Sequence, residues 1–380
     1  MIVQCPCCAG SNTAYAFSTP PMPVAAALLV FNAEESCNLP KRSLDLWHCS
    51  TCGFLWNISF ESALVRYDCY YEGTQIHSPH FVRYLDELAN IWAARFSPET
   101  RRVIEVGCGQ GEFLEALSSQ ITAKLIGYDP AIREGPRYKN IEMHATSLPN
   151  PSTTSQRADI ILSRMTLEHI DNPVEFLAQK QRWLTPQGIM AVQVPNAART
   201  FAQAEVCELQ YEHVNYFTPA ALIALVERLG LKLVISEVDY ADQHLSIFAQ
   251  HSTSLAVQPV EAQVLSIDKL RQKQLLFGAN WHTRLQAANQ AGQKVWLWGA
   301  GSRATAFCAN LPDPSLIAGA IDLNPARQGS FVPGVNIQTY TPDHLAGQSN
   351  LCIVVMNSVY LKEISENLAS MNCKAAYCCV

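Results

Sequence analysis

Arg102-Val-Ile-Glu-Val-Gly-Cys-Gly-Gln-Gly-Glu-Phe-Leu114 is the stretch on which the reading of the whole chain turns. It begins as a buried apolar strand, breaks into a loop with glycine at every second position, and resumes as a helix. Gly107, Gly109 and Gly111 let the backbone pass close to a ligand with no side chain intervening. That suits the amino-acid end of a cofactor. Dinucleotide loops use a different spacing, Gly-x-Gly-x-x-Gly, and seat a pyrophosphate on the helix start. Glu105 stands on the strand just before the glycines. Asp129 closes the next expected strand, eighteen residues beyond Gly111, where a carboxylate can accept hydrogen bonds from both hydroxyls of a ribose.

Working outward, strands are expected at Lys124 to Tyr128, Ile141 to His144, Ala158 to Ser163, Gly188 to Val194 and Lys232 to Val238, with helices between them. This is the pattern of a doubly wound α/β sheet. The unit is expected to span 67–250, entered through an aromatic-rich segment that turns helical beyond His80. The polar stretch His251 to Pro259 reads as a linker, and a long helical segment from about Val260 to Ala291 follows. A second Rossmann-like α/β unit is expected over 251–380. In it, Val295-Trp-Leu-Trp-Gly-Ala-Gly-Ser-Arg-Ala304 is again strand, glycine loop and helix start, and Ile317 to Asp322 and Leu351 to Met356 are further strands.

Two Cys-x-x-Cys pairs, Cys5 with Cys8 and Cys49 with Cys52, lie forty residues apart in the remaining segment, 1–66. Two residues between cysteines allow a tight turn to present both thiolates to one ion, and two such turns complete a closed tetrahedral zinc site. A closed site is structural. Cys7 competes with Cys8 for the ligand role, and the alternative for the whole set is small buried hydrophobes. Gly10 and Gly53 follow the two knuckles, where a left-handed backbone is expected.

With 48% hydrophobic and 16% charged residues, the 380-residue chain has the composition of a folded enzyme of more than one unit. Its net charge of -6 gives no general attraction to nucleic acid polymers or anionic membranes. No signal-like or membrane-spanning stretch is read, so a cytoplasmic location is expected. There the fourteen cysteines are thiols and metal ligands rather than disulfides. The oligomeric state is not encoded in any feature of the sequence.

The Glu-x-Gly-x-Gly-x-Gly motif with its strand-end acid resembles that of class I S-adenosylmethionine methyltransferases. The resemblance implies that Glu105, Gly107, Gly109 and Gly111 surround the methionine part of S-adenosylmethionine, that Asp129 holds the ribose, and that His144-Ala-Thr146-Ser-Leu-Pro149 borders the adenine. Ser163-Arg-Met-Thr-Leu-Glu-His-Ile170 follows the fourth strand on the ligand-binding edge and is expected to line the pocket. Its Glu168-His169 pair is read as helix packing, because adjacency alone does not make an acid/base pair.

Methyl transfer from a sulfonium is a displacement that needs alignment and a deprotonated acceptor. In Tyr211-Glu212-His213-Val-Asn-Tyr216-Phe217, His213 is the candidate base, with Glu212 placed to orient it. Taken whole, the chain resembles zinc-containing sugar C-methyltransferases that act on nucleotide-linked keto-deoxysugars. Two cysteine pairs, a cofactor unit, a Glu-His-x-x-Tyr-Phe segment and a C-terminal α/β unit appear in the same order. The resemblance implies that His213 removes a proton beside a ketone and that Glu212, Tyr211 and Tyr216 share the catalytic region. Gln210 stands where that family often has tyrosine, which has moved to Tyr211. Gly299-Ala-Gly301-Ser-Arg-Ala304 with Asp322, read alone, suggests NAD. The resemblance instead assigns this region, with Asp322-Leu-Asn-Pro and Gln328-Gly-Ser-Phe-Val-Pro-Gly334, to the nucleotide-sugar, and Arg303 is placed to meet a diphosphate. The alternatives are an O- or N-methyltransferase on another small metabolite and a nonenzymatic binding module.

Overall fold

The computed structural model describes residues 3–133, 138–151, 157–251, 265 and 267–380. Most of the linker expected at 251–259, and the first turns of the helix expected from 260, lie outside the described residues. The strands in chain order are β1 (Thr13–Ser18), β2 (Met22–Pro23), β3 (Lys41–Arg42), β4 (Asp45–Cys49), β5 (Leu55–Asn57), β6 (Arg102–Val106), β7 (Lys124–Tyr128), β8 (Ile141–His144), β9 (Ala158–Arg164) and β10 (Leu184–Pro195). They continue with β11 (Asn215–Tyr216), β12 (Leu231–Asp239), β13 (His244–His251), β14 (Lys294–Trp298), β15 (Gly319–Ile321), β16 (Thr339–Tyr340), β17 (Leu351–Val355) and β18 (Ala375–Cys379).

Three larger sheets organise them. The central one has seven strands in the order β12-β13-β10-β9-β6-β7-β8. The five from β10 to β8 are parallel, and β13 runs antiparallel beside β10. Val103, Ile104, Leu125, Ile160, Ile161, Leu162, Ala191 and Val192 are buried within it, as strands covered on both faces must be. The helix Pro79–Ala93 starts on Ser78, whose hydroxyl accepts from Phe81 N–H, and buries Leu85, Leu88, Ala89 and Trp92. Phe248 of β13, a strand absent from the sequence reading, packs edge-on to Trp92 with ring centres 5.0 Å apart.

The C-terminal sheet is all parallel, β16-β15-β14-β17-β18. The long helix Ile267–Gln290 covers one face with Leu270, Phe277, Trp281 and Leu285. In both sheets the order reverses beside the first strand, at β6/β9 and at β14/β17. Such a reversal leaves a crevice at the carboxyl ends of the strands.

The N-terminal sheet is antiparallel, β1-β4-β5-β11. Its fourth strand comes from far along the chain: Asn215 and Tyr216 pair with Trp56 and Leu55. Phe54 packs on Phe217 with ring centres 5.0 Å apart, which ties this sheet to the central unit. It is also tied to the C-terminal unit, where Val30 bridges Phe331 and Thr305 donates to Ala26 O at 3.0 Å. Among the described residues no helix is long and apolar enough to cross a membrane.

Candidate active site

The carboxyl ends of the central and C-terminal sheets face one cavity of about 790 Å3. Its walls carry Glu105 to Gln110 and Tyr128 to Ala131 from one sheet, and Gly299, Gly301 to Ala304 and Asp322 to Asn324 from the other. Each glycine loop leads from a strand into a helix, and each is tied to the acid at the end of the neighbouring strand. Asp129 accepts from Gly109 N–H at 2.9 Å and from Ala131 N–H at 2.7 Å. Asp322 does the same with Ala300 N–H and Asn324 N–H, both at 2.8 Å.

The two loops differ in charge. The helix after the first, Glu112–Ser118, starts with Glu112 and Glu115 in its first turn. Those carboxylates disfavour an anion at that end and favour a ligand ammonium. The helix after the second, Ser302–Ala309, has no acid in its first turn and carries Arg303 there.

In the first loop, Gly107 takes φ +74, and a Cβ on it would lie 2.0 Å from Thr166 Oγ1. Only glycine fits between strand and Thr166. Glu105 is fully buried with Oε2 unpartnered, and burial pushes its pKa up to about 7. Two expected contacts fall elsewhere. Thr146 is exposed and outside the cavity, where Ser147 and Leu148 line the wall instead. Ser163 is buried inside β9, and it is the next residue, Arg164, that reaches the wall. Side chains alternate along a strand, so a shift of one residue changes the face.

Beyond the loop stand Glu168, His169 and His213, whose candidate ligand atoms all lie within 4.8 Å of one another. Glu168 and His169 occupy a short 3-10 turn, Leu167–His169, after β9. All three line the cavity, so Glu168-His169 is more than the packing pair read from sequence. Tyr67 Oη lies 2.9 Å from His169 Nδ1, and the His169 and His213 rings meet edge to face at 4.9 Å. Burial pushes Glu168 up to about 8 and His213 down to about 4, and lowers His169 well below the ordinary imidazole value. Burial thus favours the neutral form of both imidazoles. Glu168 Oε2 is buried without a hydrogen-bond partner among the described residues.

The segment Tyr211 to Tyr216 departs from its sequence reading. The Glu212 carboxylate turns away from His213 and accepts from Ala26 N–H at 2.7 Å, bracing the N-terminal segment. Tyr211 is wholly buried outside the cavity, its hydroxyl accepting from Glu61 N–H at 2.9 Å. Tyr216 lies behind His213, with ring centres 6.4 Å apart, and its hydroxyl donates to Gln210 O at 3.3 Å. Of this segment only His213 reaches the cavity wall, together with Gln210 just before it. In the second loop, Arg303 lines the cavity but is paired with Glu208 and donates to Met356 O at 3.0 Å. Its charge is already neutralised.

Away from the cavity, the sulfurs of Cys5, Cys8, Cys49 and Cys52 converge within 4.8 Å of one another. Cys7 is separate, its thiol donating to Ala221 O at 3.0 Å. The left-handed residues at the knuckles are Ala9, φ 60, and Gly53, φ 72, so Ala9 rather than Gly10 takes that conformation in the first. Gly10 instead leaves room for Cys8 Sγ, which a Cβ there would approach to 3.2 Å.

Residues 78–236 match the family model described as a methyltransferase domain, and residues 270–378 match that of a C-methyltransferase C-terminal domain. The chain is 24% identical over 289 residues to C-methyltransferase NovU of Streptomyces niveus, covering 70% of this chain and 68% of that protein. It is 25% identical over 180 residues to a probable S-adenosylmethionine-dependent methyltransferase of Mycolicibacterium smegmatis, covering 44% and 69%. Among solved structures, the plantazolicin methyltransferase BpumL in complex with a monoazolic desmethylPZN analog and SAH aligns over 46% of this chain and 84% of its own, at 16% identity and a TM-score of 0.36. Fold, glycine loop and domain matches agree: the chain is an S-adenosylmethionine-dependent methyltransferase of the class I Rossmann-like fold, with a C-terminal domain of C-methyltransferase type.

Proposed function

We propose that this enzyme methylates carbon beside a carbonyl group in a small acceptor of the nucleotide-linked keto sugar class, with His213 as the general base. The observation that carries the reading is the position of the His213 imidazole, on the wall of a cavity lined by the carboxyl ends of both sheets and beside Glu168 and His169. The C-methyltransferase character of the C-terminal domain supports it.

Gly107, Gly109 and the Asp129 carboxylate would hold the donor, and the fit rests on a glycine loop and a strand-end acid that line the same cavity. Bound there, S-adenosylmethionine supplies an electrophilic methyl group. His213 would take the proton from the acceptor carbon, leaving its electron pair on the carbon and carbonyl oxygen as an enolate. Glu168 stands within reach of both imidazoles, so the positive charge that the acceptor's proton brings to His213 arises beside a carboxyl group that lowers its cost. Tyr67 holds His169 in place.

We assign Zn2+ to Cys5, Cys8, Cys49 and Cys52. Four convergent sulfurs with no open position suit a structural ion. The Asp322 loop is assigned to the nucleotide-sugar rather than to NAD, because its acid and glycines face the same cavity as the methyl donor loop.

The test is incubation with methyl-labelled S-adenosylmethionine and a panel of nucleotide-linked keto-deoxysugars. Label on a carbon next to the ketone supports the reading, and label on oxygen or nitrogen overturns it.

A further inference from the structure

Among the described residues, two groups of side chains converge closely enough to share one ion: the four cysteines, and Glu168 with His169 and His213. Their chemistry differs. The cysteine sulfurs close around a centre, whereas the second group offers three donors from the wall of the cavity. Two imidazole nitrogens and one carboxylate oxygen suit zinc and its first-row neighbours, and three protein donors leave a further position for a small ligand.

The surroundings aim these donors at one another. His169 Nδ1 lies 3.1 Å from the Glu212 main-chain oxygen, which can only accept, so the pairing that satisfies that oxygen puts the ring proton on Nδ1. Tyr67 Oη holds the same nitrogen at 2.9 Å. Support of this kind behind the far ring nitrogen is what metal-binding histidines ordinarily have. It leaves the Nε2 lone pair of His169 bare, 4.0 Å from Glu168 Oε1. That gap is too long for a hydrogen bond, and it is close to the edge of about 3.4 Å that two donors share around a tetrahedral zinc ion. Glu168 is only 2% exposed, and its other oxygen, Oε2, is buried with no hydrogen-bond partner among the described residues. No lysine or arginine among them pairs with this carboxylate. A divalent cation supplies the charge and the contact that it lacks.

We infer that Glu168, His169 and His213 bind a divalent cation of the zinc type, and that this ion inhibits methyl transfer by occupying the His213 lone pair that would take the acceptor's proton. A lone pair holds an ion or a proton, not both. The inhibition rests on reading His213 as the base, whereas the cation site does not.

The test starts from the full-length protein loaded with one equivalent of zinc. It is titrated with further Zn2+ by calorimetry, and in parallel with Co2+ followed by visible absorption. Wild type, Glu168→Gln and His169→Gln are compared, with S-adenosylhomocysteine binding as the control for folding. The wild type should take up one more ion per chain, with a cobalt spectrum free of the thiolate charge-transfer bands of a cysteine site. Each variant should weaken that uptake by at least ~10-fold with the control unchanged. Methyl transfer by the wild type should fall as the ion binds and recover when a weak chelator lowers free zinc. A wild type that takes up no second ion overturns the inference, and so does equal uptake by both variants with the control intact. Slow methyl transfer by His213→Asn alongside that failure would leave the base reading standing. A second ion lost in both variants, yet bound by the wild type with the rate unchanged or raised, would keep the cation site and sink the reading of His213 as the base.

Discussion

Gly107→Ala places two separable loads on one residue. The first is conformational: at φ +74 an L side chain costs about 1–2 kcal/mol. The second is steric, since the new Cβ would stand 2.0 Å from Thr166 Oγ1 and 2.8 Å from Thr166 Cβ. Thr166 cannot simply rotate away, because its hydroxyl donates to Arg164 O at 2.9 Å and its own Cβ is inside the contact distance. Overpacking of this kind adds about 1–3 kcal/mol. Together they amount to roughly 2–5 kcal/mol, which lowers the melting temperature of the unit carrying the loop by on the order of 10 °C. Thr166→Gly removes the offending atoms and leaves the backbone strain. The cycle of two single variants and the double should then show a favourable coupling of about 1–3 kcal/mol. Scanning calorimetry reads the stability, and S-adenosylhomocysteine titration shows whether the loop still accepts its ligand. Additivity within about 0.5 kcal/mol would refute the claim that Thr166 is what forbids a side chain at this position.

Metal analysis of the purified protein should give one zinc per chain, lost in Cys49→Ser and retained in Cys7→Ser; retention in both variants would remove the four-cysteine assignment. His213→Asn should slow methyl transfer by ~10²- to 10⁴-fold without changing S-adenosylhomocysteine affinity, and an unchanged rate would exclude it as the base. The pH dependence of stability has a definite sign. Glu168, raised from 4.5 to about 8, keeps a proton in the folded state that the unfolded chain releases, so its contribution falls as pH climbs through that window. His213, lowered from 6.5 to about 4, acts oppositely, adding stability as pH rises from about 4 to 6.5. The two offset each other at mildly acidic pH, and a net decline remains between about 6.5 and 8. Glu168→Gln should flatten that decline by up to about 1.4 kcal/mol per pH unit. Parallel melting curves for the two proteins across this range would contradict the burial argument.

Much of the architecture is legible because it is written in local periodicity. The ranges of β7 and β8 agree residue for residue with the expected strands, and both glycine loops, with their acids, stand where the spacing places them. β13 escaped because the tight turn at Tyr240, Ala241 and Asp242 takes positive φ at three residues of which only Asp242 carries the usual turn chemistry. Side-chain direction in loops has no period to read. Glu212 adjoins His213 in sequence, yet its partner is Ala26, 186 positions away. Glu168-His169 looks like ordinary packing until the 3-10 turn aims it into the cavity. Arg303 carried the visible motif, but the Glu208 pairing that neutralises it is tertiary.

The pairing of β5 with Asn215 and Tyr216 sets an order of events during synthesis. While the ribosome is still making the central unit, β5 has an open edge, with backbone donors and acceptors awaiting a partner that has not yet emerged. The cysteine knuckles can form early, but the sheet beneath them is finished only when residue 216 leaves the exit tunnel. A fragment ending at residue 66 would keep that edge bare and self-associate, whereas one extended past the helix Pro219–Arg228 would carry its own cover.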